Sequence, residues 1–134
     1  FRVNLRHLRC FITVAEELHF GRAAERLHIE QSPLSRAIKK LESDVGARLF
    51  ERTSRGVQLT WAGKVFIEDA RRILLVIEQA KGVLMDDFAM GEHEAFRFLQ
   101  TTAMSRRSTM AQVAAEVVGG TLRPGNGEGL TPSQ

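Results

Sequence analysis

Cysteine is nearly absent. The chain of 134 residues has one, Cys10, so no disulfide can form within it. Cys10 sits among apolar neighbours near the start, where a thiol serves as a small hydrophobe, and a reducing, cytoplasmic setting fits. No apolar run approaches the ~18 residues of a membrane-spanning helix, and no charged-then-apolar leader opens the chain, so no membrane partner is expected. The signs of catalysis are missing too. His7, His19, His28 and His93 have no metal-site spacing to one another or to Cys10, and there is no glycine-rich phosphate loop or nucleophile elbow. An enzyme, a bound metal and a cofactor are all unexpected. His7 and His19 read as helix-surface or cap residues, and the acidic cluster Asp86, Asp87, Glu92 and Glu94 as a solvated break.

A strong net charge is also lacking: 19 Lys and Arg against 16 Asp and Glu give +3, which alone marks no polyanion binder. The distribution is less even. Residues 31–64 hold seven basic residues, Arg36, Lys39, Lys40, Arg48, Arg52, Arg55 and Lys64, against three acidic ones, Glu42, Asp44 and Glu51. That is either a nucleic-acid footprint or an ordinary solvated face.

The length suits one domain, with the core material in the first half. Asn4 can cap a first helix, with Leu5, Leu8, Ile12 and Ala15 on one stripe and Phe11 and Leu18 at its flanks. Gly21, Ala23 and Ala24 allow two helices to cross closely, and residues 27–30 form a turn. A second helix of the pair follows, with Ser32 as N-cap and Pro33 in the first helical position. Leu34, Ala37, Ile38, Leu41 and Val45 share one face of it, while Ser32, Ser35, Arg36, Lys39, Lys40 and Ser43 share the other. One face packs, and the other is free to meet a polyanion.

After a glycine stop at Gly46, residues 49–52 and 57–59 flank residues 53–56 as a hairpin with Arg55 at its tip. Thr60 caps a long helix from about Trp61 to Met85, roughly 37 Å at 1.5 Å per residue. Phe66, Ala70, Ile73, Ile77, Ala80 and Leu84 recur at spacings of four and three, the seam of a two-helix coiled coil, with packing inside the chain as the alternative. Arg71, Arg72 and Lys81 flank it as solvated residues. Residues 87–107 show no firm period. Ser108 can cap a short helix whose face is Met110, Val113, Ala114, Val117 and Val118, and residues 121–134 are expected to be disordered.

A helix in the DNA major groove reads guanine by a bidentate arginine and adenine by a glutamine. Gln31 and Arg36 lie at the start of the second helix and one turn into it, where base edges are met; the alternative for Gln31 is an ordinary polar residue before a helix. Ser32 and Ser35 are short enough for close approach and phosphate contact, Pro33 offers a surface to a thymine methyl, and Lys39 and Lys40 suit phosphates.

The motifs in order, Leu5-Arg6-His7-Leu8-Arg9, Phe20 to Leu27, Gln31-Ser32-Pro33-Leu34-Ser35-Arg36, Leu49-Phe50-Glu51-Arg52 and Leu59-Thr60 with Ala62-Gly63, resemble the N-terminal domain of LysR-type transcriptional regulators over about residues 3–86. The resemblance implies a mainly α fold: a winged helix-turn-helix of three helices and a two-stranded wing (1–60), then a long dimerisation helix (61–86). It implies double-stranded DNA as partner, with a dyad-symmetric operator bound by a homodimer paired antiparallel through that helix. Gln31, Ser32, Pro33, Ser35 and Arg36 then line the groove-facing helix, with Arg52 and Arg55 in the wing. Trp61 departs from the family, where proline or a polar residue is usual. Nothing after Asp86 resembles the strand that opens the family's effector domain, so residues 87–134 read as a tail outside the family, and the chain as a fragment or a truncated product. Interference with full-length relatives by pairing through the seam is the alternative function.

Overall fold

In the computed structural model, residues 4–125 are described. They form α1 (Leu5–Glu17), α2 (Phe20–Leu27), α3 (Gln31–Val45), β1 (Phe50–Thr53), β2 (Gly56–Leu59), α4 (Trp61–Phe88), α5 (Glu92–Arg106) and α6 (Met110–Gly119). The chain divides into two compact units, Phe1–Arg72 and Ile73–Gln134, with the boundary inside α4.

In the first unit, Asn4 Oδ1 accepts the Arg6 N–H at 2.8 Å and so starts α1. The buried face of α1 is Leu8, Cys10, Phe11, Thr13 and Val14. It is centred on Phe11 rather than on the expected stripe, whose Leu5, Ile12 and Ala15 are half-buried. Leu18, expected at the flank, is the C-cap in the left-handed region (φ 52°) and is exposed. His19 caps α2, its Nδ1 accepting the Arg22 N–H at 3.0 Å. Ala23 and Ala24 are buried, the close approach between helices that small side chains permit.

α3 starts two residues earlier than expected. The N-cap is Glu30, in an extended conformation and making no side-chain cap hydrogen bond, so Ser32 and Pro33 are the second and third helical residues. Pro33 is still tolerated, because the first N–H to find a carbonyl within the helix is that of Leu34, on Glu30 O. Leu34, Ile38 and Leu41 are buried as the period requires, and Gly46 ends the helix at φ 85°.

The antiparallel wing pairs Phe50 with Leu59 and Thr53 with Gly56. The Thr60 hydroxyl accepts the Gly63 N–H at 3.0 Å, as an N-cap does, and donates to Arg48 O at 2.6 Å, fixing the start of α4 on the base of the wing. Gly63 is needed there, since a Cβ would run into the Leu49 carbonyl oxygen. The core closes on Phe11, whose ring centroid lies 5.4 Å from those of both Phe50 and Phe66.

The second unit holds the C-terminal part of α4 with α5 and α6. Ile77, Ala80, Leu84, Ala95, Leu99, Ala103, Val113, Ala114 and Val117 are buried. α5 occupies the stretch where sequence showed no firm period. Thr109, not Ser108, caps α6: its Oγ1 accepts the Gln112 N–H at 3.0 Å, and the Gln112 side chain returns to the Thr109 N–H. Val118, expected on the buried face, is exposed, whereas Leu122 is buried. The expected disorder of residues 121–134 falls, for 126–134, outside the described residues.

Candidate nucleic-acid interface

The interface is built from the face of α3 that packing leaves over. Because Leu34, Ile38 and Leu41 are turned into the core, helical geometry turns Gln31, Ser32, Arg36, Lys39 and Lys40 outward. All five are exposed, as is Pro33, and Ser35 is half-buried. Lys40 is held by Asp44 at 3.0 Å, while Arg36 and Lys39 make no ion pair among the described residues. Their charge is therefore uncompensated locally.

Gln31 Oε1 would be 3.8 Å from a Cβ placed on Gly21, so the glutamine lies beside the first turn of α2. A glycine there leaves room for the His19 ring that caps α2, which a Cβ would approach to 3.0 Å.

Arg52 and Arg55 sit on the wing but differ in setting. The Arg52 guanidinium stacks 5.2 Å from the centroid of Phe20, a cation–π contact that ties the wing to the start of α2. Arg55 is exposed at the turn. Its backbone N–H donates to Thr53 Oγ1 at 3.1 Å and Gly56 takes φ 109°, which together shape the tip.

Glu42 is a positioning residue that sequence reasoning missed. Its Oε2 accepts the N–H of Leu49 at 2.8 Å and of Phe50 at 3.3 Å. A carboxylate on the inner edge of α3 thus fixes where the wing begins. Its sequence signal is weak, because the partners are backbone groups seven and eight residues on.

The seam at Phe66 to Leu84 is covered to a large extent by the chain itself. Ala70, Ile77, Ala80 and Leu84 are buried, Phe66 packs its ring on Phe11, and Ile73 is half-buried. The intrachain alternative accounts for most of that apolar period. Lys81, expected to be solvated, is buried and paired with Glu92 at 3.2 Å and Glu78 at 3.6 Å. Arg71 and Arg72 reach Glu16 at 3.7 Å and Asp69 at 3.2 Å. These exposed pairs contribute little to stability.

Residues 5–64 match the model of the bacterial regulatory helix-turn-helix proteins of the lysR family. The chain covers the whole of the solved chain in a crystal structure of a CbnR DBD–DNA complex, at 43% identity and TM-score 0.60 over 66% of its own length. It covers 99% of the chain in a crystal structure of a BenM DBD/catB site 1 DNA complex, at 42% identity and TM-score 0.61. The protein belongs to the lysR family of helix-turn-helix regulators.

Among curated relatives it is 59% identical over 78 residues to the uncharacterized HTH-type transcriptional regulator YnfL of Escherichia coli, covering 58% of this chain and 26% of that protein. It is 54% identical over 78 residues to the HTH-type transcriptional regulator TfdT of Cupriavidus pinatubonensis, covering 58% of this chain and 34% of that protein. The chain thus spans about a quarter to a third of the length of these relatives. A second model, the ANTAR domain, matches residues 67–118. That range takes in most of α4 with α5 and nearly all of α6, the stretch whose second half sequence reading placed outside the family. No helix among the described residues is long and apolar enough to cross a membrane.

Proposed function

We propose that this protein is a transcriptional regulator that binds double-stranded DNA in a sequence-dependent way, with α3 in the major groove and the wing beside it. The observation that carries this reading is the pairing of a fully packed inner face of α3, Leu34, Ile38 and Leu41, with an outer face of Gln31, Ser32, Pro33, Arg36 and Lys39. A helix so anchored presents its N-terminal residues as a rigid edge, which is what base readout requires. The relatives solved as DNA complexes, covered along their full length, support the same use.

In this reading Gln31 and Arg36 meet base edges, Ser32 and Ser35 allow close approach, Pro33 meets a thymine methyl, and Lys39 and Lys40 meet phosphates. Arg55 at the wing tip reaches the backbone or minor groove. Arg52, held on Phe20, orients the wing and adds charge to it. The protein acts as a homodimer through α4, so its operator is dyad-symmetric with half-sites about one helical turn or a multiple of it apart.

Selection of bound DNA from a random pool tests the reading. The expected result is an enriched site with dyad symmetry and fixed half-site spacing. Enrichment of no sequence, at a salt concentration where the protein binds, would overturn sequence-dependent readout.

A further inference from the structure

Trp61 is the chain's single tryptophan and is 79% exposed at the first position of α4. A large aromatic side chain left in water is a mark of contact surfaces, where its apolar body and ring N–H both find partners. We propose that Trp61, with Lys64 and Arg48, is a second DNA contact, packing on the sugar-phosphate backbone that flanks the site read by α3. The proposal rests on the DNA-binding reading above and adds a contact beyond the groove-facing helix and the wing tip.

Thr60 ties the start of α4 to the segment between α3 and the wing. Its hydroxyl donates to Arg48 O at 2.6 Å and its N–H to Leu49 O at 3.0 Å. Lys64 and Val65, three and four residues past Trp61, share its side of α4, and both are exposed, Val65 to 48%. Arg48 is exposed and donates through Nη2 to Phe50 O at 3.2 Å, which leaves most of its five N–H donors for another acceptor. No carboxylate pairs with Arg48 or Lys64 among the described residues: Asp44 is held by Lys40, and Glu42 by the Leu49 and Phe50 N–H groups. The indole thus has one cation beside it on α4 and another on the segment to which Thr60 is bonded.

These groups continue the basic edge of α3. Arg36, Lys39 and Ser43 recur at spacings of three and four and are exposed, a line that runs towards the C-terminal end of the helix. Gly46 turns the chain there, and Arg48 follows two residues later. From Arg36 to Val45 the axis advances about 14 Å, so a contact at this end falls outside the bases met by the first turns of α3. Duplex beyond the read site offers phosphates to Lys64 and Arg48, and deoxyribose to the apolar face of the indole. Duplex DNA is favoured over an acidic protein because the adjoining edge of α3 is the one assigned to it.

Trp61 emission tests the contact, since no other tryptophan contributes to it. The full chain is titrated with the selected operator duplex trimmed to its site, and with the same duplex extended by about ten base pairs, one helical turn, at each end. Binding is read separately from the anisotropy of labelled DNA. The expected result is quenched emission on the extended duplex and little change on the trimmed one. Trp61→Ala and Lys64→Ala are each expected to weaken binding to the extended duplex about fivefold and to leave the trimmed one unchanged. Lys64→Ala also lowers the slope of log K against log salt by about one on the extended duplex, and Trp61→Phe, which keeps an aromatic face, retains most of the affinity. Both positions are exposed, and circular dichroism checks that each variant folds.

Unchanged emission on the bound extended duplex, or variants that lose nothing or lose equally on both duplexes, overturns this contact and leaves groove readout by α3 in place. An emission change that follows protein concentration without DNA assigns Trp61 to a protein partner and overturns it as well. A chain that binds neither duplex overturns both readings.

Discussion

Glu42 on α3 accepts the backbone N–H of Leu49 at 2.8 Å, joining the groove-facing helix to the base of the wing through one carboxylate. The same oxygen accepts a second N–H, from Phe50 at 3.3 Å, so one carboxylate serves two part-buried donors. Hydrogen bonds to a charged acceptor are stronger than neutral ones, and a donor left unmet costs its full desolvation. Glu42→Ala is therefore expected to lower unfolding stability by about 2 kcal/mol, read as a lower urea midpoint at unchanged slope. Glu42→Gln, which keeps an acceptor, is expected to lose less.

Gly63 supports the same junction from the other side. A Cβ there meets the Leu49 carbonyl oxygen, which is backbone already accepting the Thr60 N–H at 3.0 Å and cannot easily yield. Gly63→Ala is expected to cost about 2 kcal/mol of stability through overpacking, measured by thermal or urea unfolding. The helix-propensity gain of alanine over glycine, about 1 kcal/mol, offsets part of the clash, so an equal or higher midpoint would contradict the observed approach.

Burial pushes the Cys10 thiol above its ordinary pKa, and Arg6 opposes this more weakly. The native thiol holds its proton to higher pH than the unfolded one. Its contribution to stability is thus complete below the ordinary thiol range and is lost as pH rises through the raised native value. Alkylation of native protein by iodoacetamide near neutral pH is expected to be much slower than alkylation in denaturant, with the labelling rate as the measurement.

Lys39 makes no ion pair among the described residues and lies along the α3 face past Arg36. Assigned to phosphate, it should matter for affinity and not for sequence. Lys39→Ala is expected to weaken binding by a similar factor on cognate and non-cognate DNA, and to reduce the slope of log K against log salt by about one.

Much of this was legible in sequence because it rests on local rules. Asn4 and Thr60 act as caps, Gly46 stops α3, and the apolar period of α3 puts Arg36 and Lys39 outside as expected. The misses share a cause, which is that tertiary partners decide them. Ser32 has the chemistry of an N-cap, but the chain already turns helical at Gln31, so Glu30 takes the position without a side-chain bond. Lys81 reads as a solvated flank until Glu92, eleven residues away on α5, reaches it. The period at Ile77, Ala80 and Leu84 is real, yet periodicity cannot say whether the covering surface comes from the same chain or another. Thr109 and Ser108 are both adequate caps by composition, and only Gln112 three residues after Thr109 completes the reciprocal pair.

The central claim is that α3 reads bases through its N-terminal half. Its most direct test compares the native protein with a Gln31→Ala, Arg36→Ala double variant on the selected operator and on unrelated DNA of equal length. Each lost base contact is worth about 1–3 kcal/mol of discrimination. The variant is therefore expected to lose at least about thirtyfold on the operator while binding unrelated DNA much as before. Equal loss on both DNAs, or no loss on the operator, would contradict base readout by α3.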